Sequence, residues 1–135
     1  ALSPTEETRL SNLPQVIASK FKALRGFLNA GVTVVAGNDA GLPYTGFGGL
    51  WQELDAMVEG GMTAMQAIAS ATCTAAVALR LDDRIGSIRT GKQADLLVVD
   101  GDPISDISDL SRVRMVMQAG RVAYGRTDLC APEHP

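Results

Sequence analysis

The run Gly31-Val-Thr-Val-Val-Ala36 limits what this chain can fold into more than any other stretch. It is nearly continuous in β-branched residues, so it reads as a strand apolar on both faces, the kind found in a parallel sheet covered by helices. The run stops at Gly37-Asn38-Asp39-Ala40-Gly41, and a glycine-rich loop continues to Gly49. Ahead of it, residues 5–29 read as a helix. Ser3-Pro4 with Glu6 and Glu7 is a helix start, since acids are favoured at the positive end of the helix dipole. Apolar Val16, Ile17, Phe21, Leu24, Phe27 and Leu28 then recur at three- and four-residue spacing, so one face is expected to be buried. Pro14 is expected to break or kink the early part, which puts the firm start of the helix there. After the loop, residues 50–59 read as a helix closed by Gly60-Gly61, and residues 63–79 as another with Thr63 as N-cap. Strand, loop and helix after a preceding helix is the order of an α/β barrel or a doubly wound sheet.

Past Arg80 the pattern changes. Ile85-Gly-Ser-Ile88 reads as a short strand and Leu96-Leu-Val-Val-Asp100 as a second, followed by a turn at Gly101-Asp102-Pro103. Residues 113–118 and 121–124 flank Ala119-Gly120, a two-residue connection typical of a β-hairpin. Residues 126–135 read as a loose tail, so a small β region (residues 81–125) follows an α/β region (residues 1–80). The length of 135 residues suits one domain or a piece of a larger one, and 46% apolar with 20% charged residues is an ordinary globular composition. A net charge of −3 with no basic stripe argues against a nucleic-acid partner. No apolar run is long enough to span a bilayer and no leader stands at Ala1, so no membrane is expected and the cytoplasm is the default location. Cys73 and Cys130 stand far apart without a CxxC partner; Cys73 is expected to be a small buried hydrophobe. Met57, Met62 and Met65 are expected to fill the core.

Asp39 is the position where chemistry is most readily placed. It directly follows a buried strand, between small residues that let a ligand approach. In α/β barrels the loops at the C-terminal ends of the strands build the site. A carboxylate there can hold a divalent metal and take a proton from a metal-bound water. An Asp at this place can equally well stabilise a glycine-rich turn, and the segment alone leaves both readings open. Little else completes a site. The single histidine, His134, lies next to the end, whereas a metal centre of this kind needs several imidazoles. Glu53 and Asp55 are expected to be solvated helix charges rather than partners of a ligand. Asp82-Asp83-Arg84 and residues 106–109 are expected to be solvated turns. Ser70, Thr72 and Thr74 have no histidine near them, so a nucleophilic triad has no support. The loop glycines match no phosphate-binding spacing.

The order of these segments resembles the amidohydrolase superfamily, and within it the imidazolonepropionase-like and prolidase-like group. Gly31-Val-Thr-Val-Val-Ala-Gly-Asn-Asp-Ala-Gly41 resembles its eighth-strand motif, commonly Gly-Thr-Asp. Gln52-Glu-Leu-Asp-Ala-Met-Val-Glu-Gly-Gly-Met-Thr63 and Ala67-Ile-Ala-Ser-Ala-Thr-Cys-Thr-Ala-Ala76 are similar to the helices that follow. Arg84-Ile-Gly-Ser-Ile-Arg-Thr-Gly-Lys-Gln-Ala-Asp-Leu-Leu-Val-Val-Asp-Gly-Asp-Pro103 resembles the return into a small β-sandwich, and residues 113–122 its closing hairpin. The resemblance implies the C-terminal segment of a (β/α)₈ barrel, its last strand and helices, followed by part of that sandwich. It implies a hydrolase of carbon–nitrogen bonds that works through metal-activated water on a small-molecule substrate. The metal is divalent, with zinc the first expectation, and Asp39 is both its ligand and the catalytic proton carrier. Asn38 replaces the usual threonine. The histidine ligands of the earlier strands are absent, so the chain is expected to need the missing barrel half or copies of itself, or else to be a non-catalytic module without a complete metal site.

Overall fold

The computed structural model describes residues 4–41 and 46–125, with side chains from Ser11 onward. A long helix, α1 (Pro4–Asn29), leads into an extended segment, residues 32–38. Then come α2 (Leu50–Glu59), α3 (Ala64–Ser70) and α4 (Cys73–Ala78). The remainder holds β1 (Leu96–Val99), a 3₁₀ helix (Ile107–Ser111), β2 (Val113–Gln118) and β3 (Arg121–Gly125). Pro14 lies inside α1 without breaking it, so the helix starts at Pro4 rather than near Pro14 as expected. A proline removes one N–H from the ladder, and here the long runs on either side keep their own bonds.

The core is small and lies between α2, α3 and the 3₁₀ helix. Leu54 and Met57, three residues apart on α2, meet Met62, Ala67 and Ile107. Leu24 and Leu28 of α1 pack against this cluster from outside, and Arg25 donates to the Gly60 carbonyl at 3.3 Å. Met65, by contrast, is 59% exposed, because it points away from the α3 face that carries Ala67. The expected single helix over residues 63–79 is broken in two at Ala71 and Thr72. Thr63 caps α3 as expected: its hydroxyl accepts from the Gln66 N–H at 3.2 Å, and the Gln66 side chain accepts from the Thr63 N–H at 2.8 Å. The break resets the helical phase, so α4 buries Ala76 and leaves Cys73 exposed rather than buried.

Residues 31–36 do not form the expected strand: they run extended without a ladder partner among the described residues. Their alternation survives. Val34 and Ala36 pack on the core cluster, the Ala36 N–H donates to the Ser70 carbonyl at 3.2 Å, and Val32 and Val35 stand 50% and 45% exposed. A strand needs neighbours to satisfy its main chain, and a run apolar on both faces needs cover on both. Only one side is covered by the described residues.

The β region is a three-stranded antiparallel sheet in the order β1-β2-β3. Leu96 sits opposite Met117 and Val98 opposite Met115, with a bulge before Val99. The hairpin turns at Ala119 and Gly120 as expected, both at positive φ of 49° and 79°. Residues 85–87 are bends and residue 88 is irregular, so no strand forms there. Arg84 and Ile85 both donate to the Leu81 carbonyl, which winds the chain into a turn where a ladder would need it straight. The tail expected over residues 126–135 lies outside the described residues.

Candidate functional site

The extended segment delivers Asp39 to the N-terminal end of α2. Because Val34 and Ala36 are held on the core, the alternation places Asn38 half-buried on the same side and exposes Asp39 beyond it. Asp39 has φ +47°, a left-handed conformation that Asp tolerates better than most side chains and that turns the chain sharply after the segment. The loop returns to α2 close by. A Cβ on Gly49 would stand 2.7 Å from Gln52 Oε1 and 3.7 Å from Asn38 Nδ2, so a glycine lets the start of α2 come up against the residue before Asp39. Residues 42–45 lie outside the described residues, while Phe47 is 88% exposed.

Glu53, in the first turn of α2, departs from the solvated role expected of it. It is half-buried, and its carboxyl is held above the ordinary 4.5 first by burial, against the pull of the Lys20 ammonium, and further by the negative charge of Asp39. The charges of Lys20 on α1 and Asp39 after the apolar run both act on the Glu53 carboxyl of α2. Such a group can bind and orient a polar substrate and can hold a proton on Glu53 more firmly than a solvated glutamate does. Sequence reasoning missed Lys20. Nothing in its local pattern separates it from Lys22, and only the crossing of α1 over α2 brings it near Glu53.

The divalent metal that the resemblance implies is not matched by the donors present. Among the described residues no three His, Cys, Asp or Glu side chains gather where they could hold an ion. The single histidine, His134, lies outside the described residues. Two carboxylates and an ammonium form part of a polar site; they do not make a metal centre by themselves. Asp109 is a second departure from expectation. It was expected to be solvated in a turn, but it is 9% exposed, accepts from the Asp102 N–H at 2.7 Å and pairs with Arg112. Its partners are local, and it plays no part near Asp39. Among the described residues no helix is long and apolar enough to cross a membrane.

Comparison with known proteins extends over most of the chain. No curated protein matches the chain in sequence. Among solved structures it is similar to a Xaa-Pro dipeptidase with methionine bound in its active site, at 44% identity and TM-score 0.73, over 78% of this chain and 25% of that one. It is also similar to a prolidase complexed with N-methylphosphonate-L-proline, at 29% identity and TM-score 0.69, over 78% of this chain and 26% of that one. An ochratoxinase of A. niger matches 87% of this chain and 27% of its own, at 30% identity and TM-score 0.72. The chain thus spans about a quarter of the length of these structures. The model of the amidohydrolase family matches residues 4–123, which take in the helices, the Asp39 segment and the sheet alike. With that match running through both the α and the β regions, the chain belongs to the amidohydrolase family.

Proposed function

We propose that the chain is the portion of a hydrolase that carries its last barrel strand, residues 32–36, and one carboxylate of its hydrolytic centre, Asp39. The reaction is cleavage of a carbon–nitrogen bond, amide-like, in a non-peptide or dipeptide small molecule. Asp39 would be one ligand of a divalent metal, zinc in first expectation, which would supply an activated water once the remaining ligands are in place. The ligands missing among the described residues come from polypeptide outside them. In this reading residues 1–80 belong to the hydrolase barrel and residues 81–125 to the composite β-sandwich, and the cytoplasm is the place of action. Ile107 of the second part sits in the core of the first, so the two are anchored to each other.

The observation that carries this reading is the placement of Asp39. An exposed carboxylate stands at the end of an extended apolar segment, beside the charge of Glu53 and at the start of the following helix. That is where a barrel strand presents a catalytic side chain. The names of the Xaa-Pro dipeptidase and the prolidase support the dipeptide branch of the substrate class.

The test is a chimera in which residues 11–125 replace the matching quarter of the Xaa-Pro dipeptidase. The chimera is expected to hydrolyse Xaa-Pro dipeptides. Asp39→Asn within it is expected to lower kcat by about 10²–10⁴-fold, the range for loss of a positioned proton-transfer group, with an unchanged circular-dichroism spectrum. A folded, active chimera whose Asp39→Asn variant keeps its kcat would sink the assignment.

A second reading, a self-associating module without a complete metal site, is favoured by one observation. Val32 and Val35 are half-exposed apolar side chains on residues 31–36, whose main chain has no ladder partner among the described residues. Metal content separates the two readings, since both leave an apolar run to be covered and only the first needs a partner that supplies histidine ligands.

A further inference from the structure

We draw no further inference here: the strongest candidate, the Asp39–Glu53–Lys20 charge cluster at the start of α2, belongs to the site already described.

Discussion

Asp109 and Gly101 hold the turn between β1 and the 3₁₀ helix through one contact. Gly101 has φ +97°, and a Cβ there would collide with the Asp109 carboxylate and the Arg112 guanidinium. The carboxylate takes that space to reach the Asp102 N–H. Asp109→Ala is expected to cost about 1–3 kcal/mol in denaturant unfolding, chiefly by orphaning that N–H, because the Arg112 side chain is more than half exposed and its pairing adds little. An unchanged midpoint would show that water replaces the carboxylate. Glu53 gives a pH signature. Its folded pKa is raised, so the native state binds its proton more tightly than the unfolded chain. Stability is therefore lost as pH rises from about the ordinary 4.5 through the raised value. Glu53→Gln is expected to raise Tm at pH 7 and to leave it unchanged below about pH 4, where both states are protonated. A gain that persists at low pH would point to packing instead. Asp102 and Asp106 work the other way. Hydrogen bonds from Ser105 and Ser108 respectively lower their pKa, so their contribution is present above 3.8 and is lost as pH falls through the lowered values. Asp39 was legible as a candidate because its neighbours in sequence are its neighbours in space. Lys20, Glu53 and Asp109 were not, since burial and distant charge decide their roles.

Elements whose ends are built from adjacent residues came out as expected. The end of α2 followed from the Gly60-Gly61 stop, and the start of α3 from the Thr63 cap. The hairpin followed from Ala119-Gly120, and tertiary contacts reinforce it. The Asp95 carboxylate accepts from the Ala119 N–H at 2.7 Å, and the Gly120 N–H donates to the Ala94 carbonyl at 3.0 Å. Those bonds hold Ala119 at φ +49°, a region alanine disfavours. Ala119→Asn is expected to stabilise the fold by about 1 kcal/mol, because asparagine accepts that conformation and Asn-Gly suits a turn with two positive φ angles. Thermal unfolding checks it, and a lower Tm would mean that the alanine methyl makes a contact worth more than the backbone relief. The expected strand at residues 85–88 failed for the opposite reason. Two isoleucines give a strand-like pattern, but the turn bonds to Leu81 take the main chain first.

At the scale of the whole molecule, one core joins the helices to the β region through Ile107, and one apolar edge is left open along residues 32–35. If copies of the chain cover that edge, association in solution depends on it. Sedimentation is then expected to show association that Val35→Lys weakens by at least about tenfold, since a lysine there must leave its charge in solvent. A chain that is monomeric with or without the substitution would remove the self-associating reading and leave the missing barrel half as the cover. Periodicity, caps and turn residues by themselves determined α2, the start of α3, the hairpin and the place of Asp39 after the apolar run, because each depends on residues a few places apart. They also determined that residues 31–36 are an apolar run seeking cover on two faces. Only the tertiary structure decided that this run is covered on one side, that α3 and α4 part at Ala71, and that the charges of Lys20 and Asp39 act on Glu53 at the head of α2. Those outcomes depend on which surfaces are buried against which, and burial is a property of the packed chain rather than of any short stretch of it.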